Sequence, residues 1–224
     1  LLRSERTHTR ATGDMETGKT VRTISTSQPT MHMVAAGNDL HFAAATSIQD
    51  GTVALFDLRS VPPLPPTIIA TGEGAEGIAA HPTGSEVWVG NRAANTIAIV
   101  AVESAKVEAT LDTGDFPFRL VFTPDGNRVL VTCAESGEVQ IFDRAERTLL
   151  HTLSITADGS EQGALPMGIC TDPDGTRCYV TCGRGEFVAV IDLGEHRVLR
   201  RLKTRAGPDG IGYARIIDNG TVRR

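Results

Sequence analysis

Short apolar segments alternate with polar turns along most of the chain. The turn Pro-Thr-Gly at 82–84 recurs as Pro-Asp-Gly at 124–126 and 173–175, at steps of 42 and 49 residues. Proline fixes φ and glycine accepts positive φ, so each phrase suits a tight turn. Strand-like β-branched patterns follow the turns, and no stretch of about 12 residues carries a helical apolar stripe. The pattern predicts an all-β chain.

The repeating unit contains four strands. After each turn come a second apolar strand, a polar turn, a third strand and a closing fourth strand. Four short antiparallel strands recurring at about 40–45 residues are typical of a β-propeller blade. A Pro-rich loop at 61–66 and a polar loop at 157–165 lengthen two of the units. The four complete blades are predicted at 29–74, 75–116, 117–165 and 166–207.

Both ends of the chain predict partial blades. Residues 15–28 contain the final strand of a preceding blade, and 208–214 contain the first strand of a following one. Residues 1–14 match the repeat poorly and show no apolar strand, and 215–224 form a tail. A fifth blade shared by the two ends would close a small ring, but the missing strand favours a piece of a larger propeller.

Composition and charge narrow the function classes. Apolar residues make up 40% of the chain and the formal net charge is −5, which argues against a nucleic-acid binder. The basic residues between 197 and 205 are expected on a solvated outer strand. No apolar run reaches the roughly 20 residues of a membrane-spanning helix, and residues 1–10 show no signal-peptide pattern.

The end of the second strand resembles the YVTN-type β-propeller repeat, named for Tyr-Val-Thr-Asn. YVTC at 179–182 and LVTC at 130–133 differ at the last position, WVGN at 88–91 keeps the Asn, and FAAA at 42–45 diverges most. The resemblance implies the C-terminal part of a seven-bladed, lactonase-like or surface-type propeller. It also implies a periplasmic or extracellular location, with the cytoplasm as the alternative because four unpaired cysteines fit export poorly.

Candidate ligand-binding residues lie on the strand that opens each unit, because these strands line the axis of a propeller. Aligning them places His32 at a position that is otherwise aliphatic. Arg119 stands one position earlier, and Glu76 and Asp209 stand two positions earlier. The sequence predicts that His32, Glu76, Arg119 and Asp209 form a polar ring at the axial mouth. A hydrogen-bonded core histidine and a salt-bridged arginine are the structural alternatives, and no catalytic set can be assigned.

Three aspartates end the third strands of their blades at the same structural place. Asp57, Asp143 and Asp192 are therefore expected to cap the following turns through their own backbone.

The four cysteines show neither metal-ligand spacing nor a clear disulfide pattern. Cys133 and Cys182 occupy equivalent places in adjacent blades, so buried free thiols are expected there. A cross-strand pair between Cys170 and Cys178 stays open. No metal and no cofactor is predicted.

These observations predict a non-catalytic propeller scaffold that binds a protein or a small ligand at its axial mouth and loops. The first alternative is a lactonase-like hydrolase acting on a sugar lactone at the same mouth. The second is a quinone-cofactor dehydrogenase, for which the sole tryptophan, Trp88, would have to stack on the cofactor. No nucleic-acid partner and no membrane insertion are expected.

Overall fold

The computed structural model describes residues 2–4, 9–13, 16–26, 28–38, 41–156, 163–214, 216–218 and 221–223. These residues form strands joined by turns and contain no helix, so the all-β prediction is confirmed. Within the same residues, nothing has the length and apolar character of a membrane-spanning helix.

The N-terminal sheet differs from the prediction for residues 1–14. The prediction placed no strand there because apolar residues are few, yet the backbone of this segment pairs in register with the strand that follows it. Backbone hydrogen bonds alone define such a ladder, so it leaves little trace in an apolar pattern. The antiparallel order is β1 (Leu2–Ser4), β2 (Thr9–Gly13) and β3 (Thr20–Ser25).

Four antiparallel four-stranded sheets follow in chain order and are the blades of a partial β-propeller. Blade 1 contains β4 (Met31–Ala36), β5 (Phe42–Ser47), β6 (Thr52–Asp57) and β7 (Thr67–Ala70). Blade 2 contains β8 (Ala75–Ala80), β9 (Glu86–Asn91), β10 (Thr96–Ala101) and β11 (Lys106–Asp112). Blade 3 contains β12 (Pro117–Phe122), β13 (Arg128–Cys133), β14 (Glu138–Asp143) and β15 (Thr148–Ser154). Blade 4 contains β16 (Pro166–Thr171), β17 (Arg177–Cys182), β18 (Phe187–Asp192) and β19 (Arg197–Lys203).

The C-terminal segment also differs from the prediction. Residues 208–214 contain no strand, although the carbonyl of Asp209 accepts a hydrogen bond of 3.1 Å from the backbone N–H of Gly168 in β16. Pro208 has no N–H, and the glycines at 210 and 212 weaken a strand, which accounts for the incomplete ladder. A short hairpin, β20 (Ile216–Asp218) and β21 (Thr221–Arg223), occupies the predicted tail.

The hydrophobic core lies between the faces of neighbouring blades. The layer between blades 2 and 3 contains Trp88 and Ile99 from blade 2, and Phe122, Val131 and Phe142 from blade 3. Similar layers separate blades 1 and 2 and blades 3 and 4. The innermost strands β4, β8, β12 and β16 contact one another in sequence, so they line the axis.

Turn residues behave as the sequence predicts. Gly84, Gly126 and Gly175 close the repeated turns with φ of 75°, 75° and 68°, a conformation that favours glycine. The capping role of the aspartates is confirmed, because their carboxylates accept backbone N–H groups from the turns that follow them. The pairs are Asp57 with Arg59 at 2.9 Å, Asp143 with Glu146 at 2.8 Å, and Asp192 with Glu195 at 2.9 Å.

Candidate ligand-binding site at the axial mouth

Each innermost strand begins with the same local structure. The residue before it has positive φ: Thr30, Gly74, Phe116 and Leu165, at 51°, 74°, 60° and 57°. The pairing register with the second strand then shifts near the second residue of each innermost strand. Such a bulge bends the strand and redirects its side chain. The bulged end of all four strands therefore forms one rim of the mouth.

The register corrects the predicted alignment of His32. Met31 lies opposite Ser47 as Ala75 lies opposite Asn91, so His32 is equivalent to Glu76. Val34, and not His32, occupies the aliphatic position. The prediction was wrong by two residues because it took Pro29 as the first residue of the innermost strand. In the structure this strand begins at Met31, directly after the positive-φ residue Thr30.

Glu76 is the centre of the mouth. The side chain of Glu76 is only 2% exposed, although it ends in a charged carboxylate. Three basic side chains from three structural segments surround this carboxylate. Arg119 Nη1 lies 3.2 Å from its Oε1, Arg92 Nη1 binds its Oε2, and His32 Nδ1 lies 3.4 Å from Oε1. A buried carboxylate requires such partners, because an unpaired charge away from water is very costly. The structure thus brings together three of the four predicted residues.

Arg92 was not predicted, although a sequence signal for it exists. It follows Asn91, the last residue of β9, and Asn91 pairs with Ala75 at the start of β8. In an antiparallel pair, the end of one strand lies beside the start of the other. The turn after each second strand therefore belongs to the same mouth as the start of the innermost strand.

Two phenylalanines support the arginines. The Arg119 guanidinium carbon lies 3.8 Å from the centroid of the Phe118 ring, and that of Arg92 lies 5.0 Å from the centroid of Phe116. The two rings stack on each other at 6.0 Å. Cations over aromatic faces are attracted by the ring quadrupole. Stacking therefore holds both guanidiniums in defined orientations.

The arginines keep unused donors. A guanidinium carries five N–H groups, and only Nη1 of Arg92 and of Arg119 makes a hydrogen bond within the described residues. Their side chains are 32% and 17% exposed, so both reach solvent. The Asp115 carboxylate on the neighbouring loop does not pair with either arginine and accepts a hydrogen bond of 2.9 Å from the Asn95 side-chain amide. One carboxylate shared by two guanidiniums leaves excess positive charge at the mouth.

Asp209 does not join this cluster through its carboxylate. In the described residues, only its backbone carbonyl makes hydrogen bonds, to Gly168 N–H and to the Thr181 hydroxyl. The Thr46 hydroxyl donates to the carbonyl of Glu76 in the same way, at 2.7 Å. Asp209 therefore occupies the place equivalent to Glu76 at the start of the next unit, but its side chain is exposed.

The cysteines and the tryptophan take no part in the site. All four cysteines are free, and burial raises the pKa of the Cys133 and Cys182 thiols to about 12, so neither is a nucleophile. Cys170 lies opposite Tyr179 and Cys178 opposite Thr171, which puts the two thiols on opposite sheet faces and excludes the open cross-strand pair. Trp88 is fully buried between blades and cannot stack on a cofactor.

Metal ligands are not clustered in the described part of the chain, where no group of three or more His, Cys, Asp or Glu side chains is arranged to hold an ion.

Comparison with solved structures supports the fold. The chain superimposes on hydrazine synthase from Kuenenia stuttgartiensis with a TM-score of 0.70 and 17% identity, covering 80% of this chain and 50% of that one. A protein of unknown function from Desulfotomaculum acetoxidans gives a TM-score of 0.73 and 16% identity, with 89% and 66% covered. The chain thus spans between half and two thirds of these proteins, and such low identity shows the fold alone.

Comparison by sequence gives the family. No curated protein matches the chain. The family model described as Lactonase, 7-bladed beta-propeller matches residues 39–165. That segment includes blades 2 and 3 and the strands β5 to β7 of blade 1, together with Glu76, Arg92 and Arg119, and it covers more than half of the chain. The chain belongs to the seven-bladed β-propeller lactonase family.

Proposed function

We propose that this chain is part of a non-catalytic propeller that binds a small anionic molecule at its axial mouth. The observation that carries the proposal is the buried Glu76 carboxylate, which fixes Arg92 and Arg119 while leaving most of their donors unused. Planar guanidiniums with parallel N–H groups suit a carboxylate or a phosphate. We also propose that the blades are repeats of the YVTN type, which would form the scaffold around the axial mouth.

A second candidate is hydrolysis of a sugar lactone. Family membership favours it, and so does His32, whose Nδ1 lies 3.4 Å from Glu76, since a carboxylate can orient an imidazole that acts as general base. In such a step, His32 accepts a proton from water as the water oxygen bonds to the lactone carbonyl carbon. The ring C–O bond then breaks, and the proton passes to the leaving oxygen to give the hydroxy acid. Glu76 is less suited to be the base itself, because both its oxygens already bind arginines.

Gluconate, inorganic phosphate, acetate and neutral glucose form a panel that tests the proposal. Binding is measured by calorimetry, and hydrolysis of glucono-lactone is followed in parallel. We expect at least one anion to bind and glucose not to bind. Arg119→Met should lower the affinity for that anion by about tenfold to a hundredfold, because charge-assisted hydrogen bonds contribute about 1.5–3 kcal/mol. Arg200→Met replaces an exposed arginine of β19 and is the matched control, for which the anion affinity should stay unchanged.

The same experiment separates the two candidates. Turnover of the lactone that is abolished by His32→Ala, with an unchanged unfolding midpoint, would replace the binding proposal with the hydrolase. Absence of both binding and turnover would overturn both.

A further inference from the structure

The outer strand of blade 4, β19, carries a concentration of positive charge. Arg197, Arg200, Arg201 and Lys203 lie within its seven residues, and the strand contains no acidic residue. The outer strands of the other blades differ: β7 has no charged side chain, β11 has one lysine against a glutamate and an aspartate, and β15 has a single histidine. Because the net charge of the chain is −5, the basic strand is a local feature of the surface.

Most of this charge has no acidic neighbour in the sheet. The residues of β18 opposite Arg200 and Lys203 are Val190 and Phe187, and within β18 only the residue opposite Arg197 is acidic. Among the ion pairs of the described residues, none involves Arg200 or Lys203, and both side chains are exposed. Like charges on one strand repel one another. Their attraction for a negatively charged partner is therefore not used within the sheet.

The backbone of β19 is also open to a partner. It is the last strand of its sheet, and no other strand in the described part of the chain pairs with its outer edge. Every second residue of an edge strand directs its N–H and C=O groups outward, where an extended chain can bind them. The register with β18 shifts beside Leu199, so the regular part of the edge is 200–203. Positive charge opposes pairing with a second copy of this edge and favours a strand of opposite charge.

We propose that the edge of β19 binds an acidic segment of a partner protein as an additional antiparallel β-strand. In this binding mode, backbone hydrogen bonds provide affinity and alternate side chains provide specificity. Arg201 and Lys203 lie on one face of the strand, and Leu202, which is 42% exposed, lies on the other. A segment with the pattern acidic–apolar–acidic places two carboxylates opposite these cations and an apolar side chain opposite Leu202. A further acidic residue then lies opposite Arg200.

A small anion or an anionic membrane surface meets the same charges but leaves the open backbone edge unused. Exposed single ion pairs contribute little, so one carboxylate or phosphate is not held at β19. A segment that pairs along the strand adds backbone hydrogen bonds to several such contacts. The combination of charge and open edge therefore favours an acidic protein segment over lipid headgroups.

The test uses the whole chain and a peptide of sequence Thr-Glu-Val-Glu-Glu-Thr with blocked ends and an uncharged fluorophore, whose binding is followed by fluorescence anisotropy. The peptide should bind in a saturable way. Arg200→Glu and Lys203→Glu should each lower the affinity by about fivefold or more, because an attractive contact becomes repulsive. Lys106→Glu on β11 also replaces an exposed cation and changes the net charge equally. It is the matched control and should change the affinity by less than about twofold.

A second peptide separates strand pairing from charge alone. It has the same sequence with a methyl group on every backbone nitrogen, which keeps the charge and removes the backbone donors. Its affinity should be lower by about tenfold or more, because the ladder cannot form. The first peptide should also slow hydrogen exchange of the β19 amides, and the methylated one should not.

Folding of each variant is checked by its thermal unfolding midpoint, which should stay unchanged because the substituted side chains are exposed. Absence of saturable binding by the first peptide would overturn the proposal, as would equal affinities of the two peptides. Equal losses for Arg200→Glu and Lys106→Glu would also overturn it, because overall charge would then explain the binding. Binding of mixed phosphatidylserine and phosphatidylcholine vesicles, without binding of the peptide, would replace it with a membrane contact.

Discussion

Glu76 gives the mouth its chemistry by sharing one buried carboxylate between two arginines from different blades. Arg92 follows β9 of blade 2, whereas Arg119 belongs to β12 of blade 3. Both oxygens of this carboxylate are engaged by basic side chains, whereas each guanidinium retains free donors. At this scale, the proposed anion site relies on the free donors of Arg92 and Arg119.

His81 is a second informative residue, at the opposite end of blade 2. It is buried in the repeated turn, where its Nδ1 lies 2.7 Å from the Thr83 hydroxyl. Burial, and secondly the charge of Arg144, lowers the pKa of His81 below the ordinary value of 6.5. The equivalent turn of blade 3 has Thr123 at this place, so a threonine fits the local backbone.

The lowered pKa of His81 predicts a loss of stability in acid. Because the unfolded chain binds the proton more readily, this contribution is present above about pH 6.5 and is lost as the pH falls below that value. We expect the urea midpoint of the wild type to fall more between about pH 7.5 and pH 5 than that of His81→Thr. His196, whose pKa burial also lowers, contributes equally to both proteins. Identical pH dependence in the two proteins would contradict this role.

At the scale of elements, threonine hydroxyls connect neighbouring blades. Thr132 in β13 accepts the Arg119 N–H at 3.1 Å and donates to the Met167 carbonyl of the next blade at 2.8 Å. Thr181 does the same between Gly168 and Asp209. In blade 2 the equivalent residue is Gly90, where the Leu120 side chain approaches and an added Cβ would lie within 2.9 Å of it. Each hydroxyl satisfies backbone groups that the bulge removes from the ladder.

Thr132→Val should therefore destabilise the protein by about 1–3 kcal/mol, because it leaves a buried donor and acceptor unsatisfied. The measurement is urea unfolding followed by circular dichroism. Thr132→Ser keeps the hydroxyl and is the matched control, with a smaller expected loss. Valine and serine variants of equal stability would show that the connection between blades contributes nothing.

The sequence predicted the blades and the turns because the repeated Pro-x-Gly phrases and apolar strands are local signals. The structure brings the predicted Glu76 and Arg119 side chains into contact, and their role as ligand-binding residues stays a prediction. The bulge could not be seen, since its only marker is a positive-φ residue that differs in every blade, and His32 was misaligned for that reason. Arg92 was missed because its position depends on which strand ends meet in space. The strands β1 and β2 have few apolar residues and were missed for the same lack of a local signal.

For the whole molecule, the sign of the net charge differs from the sign of the charge at the mouth. The net charge is −5, yet the mouth concentrates two arginines and a histidine around one glutamate. The hydrophobic core consists of layers between neighbouring blades. Polar side chains of the innermost strands can therefore point to the axis without entering these apolar layers. An anion would therefore be attracted to the mouth by local charge and not by the overall charge.

The most direct measurement of the central claim is NMR observation of the arginine Nε–Hε signals during titration with gluconate and, separately, with phosphate. We expect the signals of Arg92 and Arg119 to shift with either anion or with both. Arg144 is the internal control, because its Nε already donates to Glu86 at 2.8 Å, and its signal should stay in place. Unchanged Arg92 and Arg119 signals, or equal shifts of all three arginines, would contradict a specific anion site at the axial mouth.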